Sequence, residues 1–115
     1  MTRLIFAPPL PLNAFPYQTF TINVRRLSIE ELEEVVNCYR QQGAEIKNYI
    51  RHPSTVRLLN EVLGLDLQPT TSLYQYQPGD IIIVVGLKRP VRGQEVEVSI
   101  EDLDIAMISI AEVKS

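Results

Sequence analysis

The chain has 115 residues and a mass of 13.1 kDa. That is the size of one domain, because smaller pieces would bury too little surface to hold a core. A hydrophobic share of 45% and a charged share of 22% exclude a wholly disordered or collagen-like chain. The net charge of −3 argues against a surface built to coat duplex nucleic acid, and the single cysteine, Cys38, excludes an intrachain disulfide. No apolar run approaches the roughly 20 residues of a membrane-spanning helix. Pro8, Pro9 and Pro11 interrupt the apolar stretch after Arg3, so no leader peptide is expected there. The expected setting is the cytoplasm.

In chain order, Leu4 to Phe6 predicts a short strand that ends at Ala7-Pro8-Pro9, followed by a proline-rich loop through Asn13 and Tyr17. Phe20 to Val24 alternates as a second strand. Ser28 opens a helix, with Glu31 completing a capping box, and Leu32, Val35, Val36 and Tyr39 recur at helical spacing. Gly43 is the natural stop. Cys38, close to Val35 and Val36, reads as core filling. Ile46 to Ile50 is either a strand or the lead-in to the next helix. That helix runs to Leu63 before Gly64, with Pro53 in or near its first turn, Ser54 or Thr55 as its cap, and Val56, Leu59 and Leu63 as its apolar stripe.

Ser72 to Tyr76 and Ile81 to Leu87 flank Gln77-Pro78-Gly79-Asp80 and predict two antiparallel strands across a tight turn. The unbroken aliphatic run of the second one predicts a central strand buried on both faces. Lys88 to Gly93 is a basic loop, Ser99 caps a single turn, and Ile105 to Val113 is a last strand. The whole is a single α/β domain over residues 1–115, a mixed sheet of about five strands with two main flanking helices.

Two features could carry chemistry. His52 stands just before a helix N-terminus, where amide groups, the helix dipole and the hydroxyls of Ser54 and Thr55 favour an anion such as phosphate. A histidine beside a phosphodiester can donate a proton to a leaving oxygen. Against this stands the commoner reading that Ser54 only caps and His52 only packs. Lys88, Arg89 and Arg92 follow the central strand, where α/β sheets gather ligand loops, and arginine there can fork onto phosphate oxygens. A solvated basic turn is the plainer account of the three. No spacing of Cys and His suggests a metal site, and no glycine-rich nucleotide loop occurs. Tyr74 and Tyr76 could stack on bases, though a packed sheet face is the simpler account.

The ordered set, with Arg51-His52-Pro53-Ser54-Thr55 leading into Val56 to Gly64, then Gln77 to Asp80, the aliphatic strand and an arginine-containing loop, resembles the viral anti-CRISPR ring nucleases and their bacterial and archaeal relatives. In that family a G-H-x-S-T motif opens a helix ending in leucine-glycine. The resemblance covers most of residues 20–93. It implies a homodimer that binds cyclic tetra-adenylate across its two-fold axis and cleaves it without metal or cofactor, the ligand's 2′-hydroxyl attacking the neighbouring phosphate. By the same resemblance His52 is the general acid and Arg89 the essential arginine, with Arg92 the other candidate for that position. Ser54, Thr55, Asn13 and Lys88 contact the ligand. Arg51 stands where the family usually has glycine, and Thr71 where it usually has arginine.

The leading expectation is therefore a ring nuclease that removes the cyclic oligoadenylate second messenger of type III CRISPR defence. The alternatives are a non-catalytic cyclic-nucleotide binder or a dimeric nucleic-acid-binding protein, the latter disfavoured by the net charge.

Overall fold

An uninterrupted aliphatic strand needs cover on both faces, and that need organises the molecule. The computed structural model describes residues 2–10, 12–88 and 99–114. Its strands and α-helices are β1 (Arg3–Ala7), β2 (Thr19–Arg26), α1 (Ile29–Gln41), β3 (Glu45–Asn48), α2 (Pro53–Leu63), β4 (Ile81–Leu87) and β5 (Leu103–Lys114). They form one mixed sheet in the order β2-β5-β4-β1-β3. β1 pairs in parallel with both β3 and β4, while β5 runs antiparallel to β4 and to β2. In β4, Ile82 and Ile83 point to opposite faces and both are fully buried.

Both helices lie on one face. Leu32 and Val36 of α1 join Val56, Leu59 and Leu63 of α2 over Leu4, Phe6, Ile83 and Val85. The capping box holds as the sequence predicts: the Glu31 N–H donates to Ser28 Oγ at 3.2 Å and the Ser28 N–H to Glu31 Oε1 at 3.0 Å. Gly64, at φ +65°, ends α2. The undecided stretch before α2 is a strand, β3. Cys38 is a correction, because it is exposed. It lies two residues past buried Val36, a turn of about 200° around the helix, which carries it to the solvent side.

Among the described residues, no α-helix covers the other face. Ile5, Ala7 and Ile82 are covered instead by Ala14 and Phe15 from the loop after β1 and by Tyr74 and Tyr76. Here the antiparallel strand expected over residues 72–76 is overturned. Both edges of β4 are already taken, by β1 and β5, so residues 72–76 cross the sheet face as irregular chain. The tyrosines alternate because they pack onto that face, and the Tyr76 N–H donates to the Ala14 carbonyl at 2.8 Å. The turn at 77–80 forms as predicted, with the Asp80 N–H on the Gln77 carbonyl at 3.0 Å and Gly79 at φ +91°.

Asp80 is the buried charge that pins this segment. Arg3 forks onto it, Nε to Oδ1 at 2.8 Å and Nη2 to Oδ2 at 2.6 Å. The Tyr74 hydroxyl and the Gln77 N–H also donate to Oδ2. Burial pushes the Asp80 pKa up, but Arg3, Tyr74 and Gln77 outweigh it and hold the carboxyl below the ordinary aspartate value. A carboxyl with a depressed folded pKa adds stability above its unfolded pKa and loses it as pH falls through the folded one. Asp80→Asn is expected to cost about 3 kcal/mol at neutral pH by leaving Arg3 unpaired. It should also flatten the acid limb of a melting-temperature profile between about pH 5 and pH 2. Parallel acid limbs for the two proteins would refute the assignment.

Candidate functional site

Because β1, β3 and β4 run in parallel, their carboxyl ends share one edge, the edge at which open α/β sheets bind ligands. The loop after β1 brings Asn13 there, on the 3-10 turn Leu12–Ala14. The connection after β3 brings Arg51, His52 and the start of α2, and β4 ends beside exposed Lys88. Asn13, the 52–55 segment and Lys88 thus each follow the carboxyl end of one of the three parallel strands, with Lys88 four residues beyond Val84, the partner of Ala7. Arg89 and Arg92 lie outside the described residues.

The start of α2 differs from the sequence expectation in one respect. His52 is its N-cap, not Ser54 or Thr55. Pro53, with no N–H to lose and a φ already suited to a helix, takes the first helical position and moves the cap back to residue 52. His52 Nδ1 accepts the Thr55 N–H at 3.3 Å and lies 3.1 Å from Thr55 Oγ1. An accepting Nδ1 assigns the proton of the neutral ring to Nε2, the nitrogen left to meet a ligand. Thr55 is buried, its hydroxyl turned to His52, so it fixes the ring. Of the first-turn amides, Pro53 has none, that of Thr55 serves His52 and that of Val56 serves the His52 carbonyl. Ser54 is half-buried, and neither its amide nor its hydroxyl is engaged in a hydrogen bond among the described residues.

Beside this helix start is a cavity of about 360 Å³. Residues 8–10 and Asn13 form one wall, Tyr49 and Arg51 a second, and residues 72–75 the third. His52 lies next to it, outside the lining. Tyr49 and Tyr74 meet edge to face, ring centroids 5.2 Å apart at 66°. Burial, with the bond to Asp80, raises the Tyr74 pKa far above that of free tyrosine, so its hydroxyl stays a donor. Arg51 is exposed and its Nη2 donates to the Thr71 carbonyl at 3.4 Å, the position at which the sequence resemblance expects an arginine. The sequence analysis raised Tyr74 as a base-stacking residue but preferred a packed face, marked Arg51 only as standing in place of a glycine, and gave Tyr49 and Gln75 no role at the site. Among the described residues, no three His, Cys, Asp or Glu side chains converge as a metal site requires.

A family model described as STIV B116-like matches residues 9–111. The chain belongs to the STIV B116-like family. Among solved structures it is similar to B116 of Sulfolobus turreted icosahedral virus, with a TM-score of 0.73 at 16% identity, covering 92% of this chain and 97% of that one. At that identity the likeness is one of fold. No curated protein matches the sequence. Among the described residues of this family member, no helix is long and apolar enough to cross a membrane.

The cap geometry carries its own test. His52→Ala should lower unfolding free energy by about 1 kcal/mol, the usual cost of losing an N-cap, whereas His52→Asn, which keeps a cap acceptor, should restore most of it. Equal urea midpoints for the Ala and Asn variants would contradict the cap.

Proposed function

We propose that this protein is a ring nuclease that opens cyclic oligoadenylate, with cyclic tetra-adenylate as its substrate, and so clears the second messenger of type III CRISPR defence. What supports the reading is that Asn13, His52 with Ser54, and Lys88 follow the carboxyl ends of the three parallel strands β1, β3 and β4. In-line attack of a ribose 2′-oxygen on the adjoining phosphorus needs the phosphate held, its charge balanced and the departing 5′-oxygen protonated. Ser54 and Asn13 hold the phosphate, and Lys88, followed by Arg89 and Arg92, supplies positive charge. As the imidazolium, with Nδ1–H turned onto Thr55 Oγ1, His52 gives its Nε2 proton to the 5′-oxygen and ends as the neutral ring, while the 2′-hydroxyl proton passes to water. The P–O5′ bond breaks as the P–O2′ bond forms, leaving a 2′,3′-cyclic phosphate and a 5′-hydroxyl. Two copies of the chain about a two-fold axis would offer a four-fold ring two equivalent half-sites. That supports a homodimer, working in the cytoplasm of the host if the protein is viral.

One observation favours a second reading, a non-catalytic cyclic-nucleotide binder. His52 Nδ1 is already committed to the helix, so the ring has a structural duty whether or not it does chemistry. The two part on a single assay. Purified protein with cyclic tetra-adenylate in excess EDTA should yield linear fragments ending in 2′,3′-cyclic phosphate. His52→Asn, which preserves the cap, should slow single-turnover cleavage about 10²–10⁴-fold, the range for losing a general acid, with affinity little changed. Binding without cleavage by the parent protein would select the binder, and a folded His52→Asn protein cleaving at the parent rate would remove His52 from the chemistry.

A further inference from the structure

The two hydrogen bonds at His52 Nδ1 differ in what they permit. The Thr55 N–H, at 3.3 Å, only donates, so it holds the neutral ring and opposes a proton on Nδ1. The Thr55 hydroxyl, at 3.1 Å, donates to a bare Nδ1 or accepts from Nδ1–H, because its own proton rotates to suit. A general acid at this position passes through three states. At rest the ring carries its proton on Nε2 alone, and charged it carries one on each nitrogen. Spent, after Nε2 has given its proton away, it keeps the one on Nδ1. The amide suits only the first of these states, and the hydroxyl suits all three.

Among the described residues no other side chain takes that part. Thr55 is 4% exposed, so solvent has little access to replace its hydroxyl at the ring. No ion pair among the described residues includes His52. Asp80, the carboxylate of the segment crossing the sheet face, is taken by Arg3 and Tyr74, and Tyr49 packs on the Tyr74 ring. Arg57 and Glu61, farther along α2, are exposed. Arg51 and Lys88 carry the same sign of charge as the imidazolium, and Arg51 donates to the Thr71 carbonyl. A proton on Nδ1 is therefore steadied by the Thr55 oxygen.

We propose that Thr55 is a positioning residue that lets His52 change protonation state without leaving the start of α2. Its hydroxyl donates to Nδ1 of the resting ring and accepts from Nδ1–H of the charged and spent rings. Water supplies the proton that Nδ1 gains, the 5′-oxygen takes the one that Nε2 loses, and water later returns a proton to Nε2. The inference rests on the ring-nuclease reading for the acid step. It gives Thr55 a duty to the ring, where the sequence resemblance implies contact with the ligand. The exchange at Nδ1 itself belongs to the ring and the hydroxyl, with or without a substrate.

Nuclear magnetic resonance follows the ring directly, since His52 is the only histidine in the chain. The ring Hε1 shift is recorded against pH for the parent, Thr55→Val and Thr55→Ser proteins. Thr55→Val keeps the shape and the amide, and its ring should lose the second proton about one pH unit lower than the parent's, the worth of a hydrogen bond to a charged group. Thr55→Ser, which keeps the hydroxyl, should titrate as the parent does. In single-turnover cleavage of cyclic tetra-adenylate above the parent's midpoint, Thr55→Val should be slower by about tenfold with its half-saturating concentration unchanged, and Thr55→Ser should restore the rate. Coincident titrations of the parent and Thr55→Val rings would overturn the proposal, whether or not the protein cleaves. So would a Thr55→Ser ring that titrates with Thr55→Val. A Thr55→Val ring shifted as expected, in a parent protein that leaves cyclic tetra-adenylate intact, would keep the part given to Thr55 and sink the nuclease.

Discussion

Asp80 sits buried immediately before β4, with an arginine fork, a tyrosine hydroxyl and a backbone amide all donating to it. The rest of the architecture depends on that arrangement because the helices cover only one face of the sheet. The opposite face is closed by chain that has no regular hydrogen-bond ladder, and such chain must be fixed by side chains. Arg3 belongs to the first strand, Tyr74 to the segment crossing the face, and Asp80 to the entry of the central strand, so one carboxylate joins three parts of the sequence. Two asparagines complete the route around the β3 edge. Asn60 accepts the Leu67 N–H at 2.7 Å and donates to its carbonyl at 2.9 Å, and Asn48 donates to the Gln68 carbonyl at 2.8 Å. Residues 65–76 are thereby held against the sheet, and the cavity lies where residues 72–75 face residues 8–10 and Asn13, just before Tyr76 meets the Ala14 carbonyl.

The same wrap explains how a small chain can make a site at all. Three parallel strands run toward one side of the sheet, β4 to Leu87 beyond the Ala7–Val84 pair, and each is followed by a segment of different chemistry. The first gives a carboxamide, the second a histidine locked by its own helix, and the third a cation. His52 and Thr55 illustrate the economy of the arrangement. A neutral imidazole that accepts a helix amide through Nδ1 has its tautomer chosen for it, which presents Nε2–H outward. Thr55 then orients the ring, and Ser54 is the residue of the pair without a hydrogen-bond partner among the described residues.

Much of this was legible in the sequence where the physics is local. The Ser28–Glu31 box, the stripe of Val56, Leu59 and Leu63, and Gly64 at the end of α2 are short-range signals, and the structure has each of them. β4 was legible as central from its aliphatic run, and the mixed five-stranded sheet with two helices follows from the order of such elements. The misreadings share a cause. Tyr74 and Tyr76 alternate as a strand would, but period two also arises in extended chain lying on a sheet. Pro53 shifted the cap by taking the position after it. The cavity was illegible because Asn13, Tyr49, Arg51 and Gln75 come from three separated segments, and no local pattern joins residues whose meeting depends on a buried carboxylate elsewhere.

The central claim is that the carboxyl edge of β1, β3 and β4, with its adjoining cavity, is where a cyclic oligoadenylate binds. Amide chemical-shift mapping of the His52→Asn protein, in which the ring should persist uncleaved, tests it most directly. On adding cyclic tetra-adenylate the largest shifts should fall in residues 10–13, 49–55 and 72–75 and at Lys88. Shifts concentrated on α1 or along β2, with these segments unmoved, would contradict the account.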